Sequence, residues 1–223
     1  LEQGGYFTVG TLSHEFFHSL GAPDLYHYYD DVAPTAVGGW DVMDASSDIP
    51  QSMSAYMKYK YTEWIEYLPE VEFGGTYEIN PLSSSENNIY RINSPLSSQE
   101  YFIVEYRVKE GLYEVNTPGD DNGLLIYRVN SSYNGNANGP PDELYLYRVG
   151  ATTEANGSFG SAVFSQETGR TVFNDMTNLH HVYIIENVEK EAIQEIEDVE
   201  VKAPLQNRPT ESIEETNQEN DVE

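Results

Sequence analysis

Thr8-Val9-Gly10-Thr11-Leu12-Ser13-His14-Glu15-Phe16-Phe17-His18-Ser19-Leu20-Gly21-Ala22-Pro23-Asp24 is the stretch on which the fold turns. Leu12, Phe16, Phe17 and Leu20 recur at helical spacing, so a helix is expected over residues 8–20. Gly21, followed by Ala22-Pro23, should stop it. Two histidines four apart then share one helix face, one turn from each other, where both imidazoles can reach one ion. Glu15 projects beside that ion rather than onto it. From there its carboxylate can take a proton from a metal-activated water and return it to a leaving amine.

Two ligands do not hold a catalytic zinc; a third is needed, with one position left open. A glycine three residues past His18 can take left-handed backbone and turn the chain sharply. Asp24, six past His18, then swings back as an oxygen ligand. His pairs on helices also occur as merely satisfied, partly buried couples, and the Gly-then-Asp extension is what argues for metal here. His27 is a rival ligand, with a surface histidine as its plainer reading. Asp41 and Asp44 are weaker rivals that turn formation explains. A zinc hydrolase of another class would draw its third ligand from Glu63 or Glu66.

Outward from this stretch, residues 22–51 are irregular and rich in turn formers, and residues 52–68 read as a second helix carrying Met53, Tyr56, Met57, Trp64 and Leu68. From about residue 71 the period becomes two. Strands are expected at 76–79, 88–92, 101–108, 124–129, 145–149 and 182–185, with Gly, Asn, Pro and Ser between them. Short strands with such turns favour an antiparallel β-sandwich. Residues 189–223 are acid-rich and poor in aromatics, so they should be largely disordered, with a helical start at most. The expected organisation is α+β. A mainly helical partial zinc-site unit at 1–69 precedes a β-sandwich at 70–188 and the acidic tail.

Composition narrows the partners. With 38 acidic against 11 basic residues the formal charge is −27, which repels nucleic acid and anionic lipid heads. Cysteine is absent, so thiolate metal sites and disulfides are excluded, and no apolar run reaches the length of a bilayer span. Asp30-Asp31 and Asp120-Asp121-Asn122-Gly123 offer oxygen ligands for Ca2+ as a second cation, without EF-hand spacing. His180-His181 reads as a loop pair, and Tyr56, Tyr59 and Tyr61 include a candidate oxyanion stabiliser.

The run from His14 to Tyr26, HExxHxxGxPDxY in pattern, resembles the M6 family of secreted bacterial metallopeptidases, the immune inhibitor A group. The likeness continues at Gly39-Trp40-Asp41-Val42-Met43-Asp44, at 54–58 and 63–65, and into the strands at 100–107 and 123–129. It implies a metzincin-like zinc endopeptidase acting on extracellular proteins or peptides. His14, His18 and Asp24 would be its zinc ligands, Glu15 its general base, and Met43 the packing floor beneath the ion. Leu25-Tyr26-His27 departs from the family's usual Leu-Tyr-Asp. The site begins a dozen residues from Leu1, so an upstream stretch with a signal peptide is expected, with weak or no activity from residues 1–223 alone. The contrasting reading is a non-catalytic surface adhesion protein that keeps a structural zinc site.

Overall fold

The computed structural model describes residues 7–29, 33–174 and 199–202. Helix α1 (Val9–Ser19) starts where Thr8 caps it, its hydroxyl accepting from the Thr11 amide at 3.0 Å. It ends in the turn that Gly21 permits at φ 97°. There the Ala22 amide reaches back to the Phe17 carbonyl and the Gly21 amide to that of His18.

The second helix is shorter than its pattern. α2 covers only Ala55–Lys60, capped by Ser54, and the chain leaves it at Tyr61. Glu63 sits at φ 55°, and Trp64 turns away to pack edge-on against Phe17 at 5.7 Å. Tyr61 is drawn instead to Glu143, its hydroxyl donating at 2.6 Å. Tertiary partners overrode the helical period.

The remainder is built on an antiparallel sheet in the order β2 (Ile89–Asn93), β3 (Glu100–Arg107), β4 (Gly123–Asn130), β5 (Leu144–Leu146). α3 (Gly111–Glu114) lies between β3 and β4. β5 stops before residue 149 because Arg148 is buried and spends its guanidinium on carbonyls, among them Ala36 at 3.0 Å and Leu146 at 2.8 Å. A short pair, β1 (Gly75–Glu78) with β6 (Val199–Lys202), runs parallel. Thus part of the tail expected to lack structure forms a strand. The fold is mixed α and β, with few helices around a four-stranded antiparallel sheet.

No second antiparallel sheet stacks on it among the described residues, which differs from the expected sandwich. The expected strand at 182–185, His180-His181 and Asp30-Asp31 lie outside the described residues. Instead, opposite elements cover the sheet. Glu105 and Arg107 on one face bond to the N-terminal part: Glu105 accepts from the Ala55 amide at 2.5 Å and Arg107 donates to the Trp40 carbonyl at 3.2 Å. On the other face Phe173 packs edge-on against Phe102 at 5.4 Å. One hydrophobic core therefore runs from Leu25, Trp40 and Met57 into Ile103, Leu125 and Leu146. A buried ionic triad lies within it: Arg107 meets Glu105 at 2.8 Å and Glu114 at 2.6 Å, and Glu105 also accepts from the Tyr127 hydroxyl at 3.0 Å, which offsets part of the cost of burying the charges.

Candidate metal centre

His14 and His18 leave α1 on its inner face with ring centroids 4.9 Å apart. Each ring is held by a backbone carbonyl through Nδ1: His14 by Val42 at 2.9 Å, His18 by Ala22 at 2.8 Å. A carbonyl can only accept, so both imidazoles carry their proton on Nδ1 and turn Nε2 lone pairs the other way. Those nitrogens meet Asp24 Oδ1, at 3.0 Å from His14 and 3.3 Å from His18. That oxygen is buried and accepts no hydrogen bond. Three lone pairs thus face one another, an arrangement that calls for positive charge between them. Ligands about 2.0–2.1 Å from a tetrahedral ion lie roughly 3.3 Å from one another, close to the 3.0 and 3.3 Å between each imidazole and Asp24, and all three atoms lie within 4.8 Å of one another. The group can hold a metal ion.

Comparison of the chain with protein-family models, curated proteins and solved structures found no match, so the site has to be read from its own geometry.

The helix stop supplies both the Ala22 carbonyl for His18 and the bend that brings Asp24 round. The turn at residues 41–44 supplies the rest. Asp41 accepts from the Met43 amide at 2.8 Å and from the Ser54 amide at 2.7 Å, which fixes the Val42 carbonyl over His14. Met43 is fully buried in this turn, and its carbonyl takes the Leu25 amide at 2.9 Å. Asp44 accepts from the Val37 and Gly38 amides at 3.0 and 2.7 Å. Burial pushes its carboxyl up to about 7, against those two hydrogen bonds.

The rival ligands go elsewhere. His27 is not a surface residue: it is buried and its Nε2 meets Asp142 Oδ1 at 2.6 Å. That bond raises its pKa, against the lowering effect of burial. Glu63 and Glu66 are exposed, and neither belongs to the ligand group. Tyr56 and Tyr61 are committed to Glu143, so neither is free to serve as an oxyanion donor, while the Tyr59 ring packs against the core. Among the described residues, no second cluster of three potential ligands forms, at Asp120-Asp121 or elsewhere. Asn122 caps the Lys109 amide at 2.6 Å instead. Glu15 is exposed on the same helix turn as His14. Its charge joins burial and Asp24 in raising the pKa of Tyr26, whose ring lies 6.2 Å from that of His14.

Two features of the site carried no sequence signal. The first is the loop at 135–137, which clamps the arm bearing Asp24. The Asn136 amide donates to the Asp24 carbonyl at 2.9 Å. Its side chain donates to the Leu25 carbonyl at 3.1 Å and that of Leu144 at 2.8 Å. Gly135 permits this closeness: at φ 76°, a Cβ there would meet Pro23 Cβ at 2.6 Å and the Asp24 carbonyl at 2.8 Å. The second is Tyr28, whose hydroxyl donates to Asp24 Oδ2 at 2.6 Å.

Proposed function

We propose that this chain is the metal-binding part of a zinc-dependent endopeptidase of the M6, metzincin-like kind, cleaving extracellular proteins or peptides. The observation that carries the reading is the meeting of His14 Nε2, His18 Nε2 and Asp24 Oδ1, with Glu15 beside them on α1. Two imidazoles and one carboxylate are a donor set that suits zinc. Among the described residues no fourth side chain joins the group. Structural zinc sites are closed by four protein ligands, so three favour catalysis over a purely structural role in a surface adhesion protein.

When bound, zinc supplies Lewis-acid polarisation of the scissile carbonyl and makes an attacking water more acidic. The chain's own residues do the remainder. Glu15 takes the proton from that water and hands it to the departing amine nitrogen. The Nδ1–H groups of His14 and His18 stay on the Val42 and Ala22 carbonyls, which keeps both rings oriented and their Nε2 lone pairs free. Met43, fully buried in the turn at 41–44, is the residue to which this reading gives the packing floor of the site.

The test is zinc content and cleavage of a denatured protein by the full-length natural protein, compared with the same protein carrying Glu15→Gln. One zinc per chain in both, with cleavage lowered about 10²–10⁴-fold in the variant, supports the reading. Zinc in both with equal cleavage, or with none in either, overturns the catalytic role and leaves the structural one.

A further inference from the structure

We propose that Tyr28 is a positioning residue for the metal centre, its hydroxyl holding one oxygen of Asp24 so that only the other turns to the ion. The inference rests on the metal reading above and concerns how the third ligand is presented.

Asp24 is a buried carboxylate whose two oxygens have different surroundings. Oδ2 accepts the Tyr28 hydroxyl at 2.6 Å. Oδ1 accepts no hydrogen bond and faces both Nε2 atoms. The phenol that makes the difference is 56% exposed. Packing alone therefore does not fix its hydroxyl on Asp24, and the hydrogen bond is the contact that does. Ligand and donor share a scaffold as well. The Tyr28 amide donates to the Ala137 carbonyl at 2.9 Å, beside the Asn136 amide that holds the Asp24 carbonyl.

A carboxylate with both oxygens free can swing or grip an ion through both, filling the position that water and substrate need. A donor on Oδ2 holds it to one oxygen and drains charge from the other, the usual office of a ligand's outer partner. Tyr28→Phe removes that donor and nothing else from a half-exposed ring. Tyr29→Phe is the matched control, since Tyr29 is 65% exposed and makes no bond to Asp24.

The experiment measures Zn2+ affinity by competition with a chromophoric chelator and the visible spectrum of the Co2+-loaded full chain. Far-UV circular dichroism checks the fold of each variant. Expected for Tyr28→Phe are an affinity about ten-fold or more below the parent's and weaker Co2+ bands, as the carboxylate adds its second oxygen. Tyr29→Phe should match the parent in both. Parent-like affinity in Tyr28→Phe overturns the proposal, and so does weakened affinity with an unaltered Co2+ spectrum. A parent chain that binds neither ion overturns the metal centre itself, and this proposal with it.

Discussion

Asp24 and His14 meet atom to atom, Oδ1 to Nε2 at 3.0 Å, although the Nδ1 bond to Val42 leaves both facing atoms as acceptors. Such a contact costs free energy in the empty protein and is repaid when a cation enters. Preorganised repulsion of this kind makes the site's occupancy measurable through stability.

Asp24→Ala should therefore abolish stoichiometric zinc binding while leaving the melting temperature of the metal-free protein unchanged or slightly raised. In the parent, zinc at 100 times its dissociation constant adds about 2.7 kcal/mol; in the variant it adds nothing. Differential scanning calorimetry with and without zinc reads both effects. A variant that still gains stability from zinc removes Asp24 from the ligand set.

The clamp at Asn136 is a second lever. Asn136→Ala leaves the Leu25 and Leu144 carbonyls and the Leu144 amide without their partner. Each buried group so orphaned costs about 1–3 kcal/mol, and the arm carrying Asp24 loosens. Urea denaturation should show a lower midpoint, and zinc affinity should fall alongside it. A loss of stability with parent-like zinc affinity would mean the clamp serves the core alone.

Asp44 supplies a pH test. Its carboxyl is raised from 3.8 to about 7, so between those values the folded state binds more protons than the unfolded one. Stability from this group then declines as pH rises from about 4 to 7 and levels off above. Asp44→Asn keeps an oxygen for the Val37 and Gly38 amides, both of which reach a single oxygen, Oδ2, in the parent. It should flatten that decline and raise stability at pH 8, measured by thermal melts across pH 4–8. An unchanged pH profile would show Asp44 ionising as an ordinary carboxylate.

The outer face of α1 is apolar and open: Val9, Leu12 and Phe16 are 61, 65 and 59% exposed. It lies opposite the face that carries His14 and His18, given the helical period. Leu12→Ser with Phe16→Ser should lower binding of a hydrophobic dye and any self-association seen in sedimentation. Zinc affinity should stay at the parent value, and stability within about 0.5 kcal/mol. Lost zinc binding in the double variant would tie the two faces together.

Legibility differed along the chain for physical reasons. Helix α1, its glycine stop and the bend to Asp24 could be read because each depends on neighbours within a turn or two. Five of the expected strands formed as β1 to β5, although β5 is shorter than its pattern and β4 is buried almost throughout. The second helix was overextended because its periodic pattern continues past Lys60, while Tyr61 and Trp64 answer to Glu143 and Phe17. His27 gave no sign of its partner, since Asp142 is 115 residues away.

What the sequence by itself determined is the local apparatus: a helix presenting two imidazoles on one face, a glycine that ends it, and a carboxylate six residues on. Short-range spacing decides such features. Only the tertiary structure decided how these groups are held. The Val42 carbonyl on His14, the Asn136 clamp and the hold of Arg107 and Glu105 from β3 on Trp40 and Ala55 come from segments far apart in sequence. Hydrogen bonds and packing between distant segments leave no periodic trace, because their partners are fixed by the closure of the whole chain rather than by any one stretch of it.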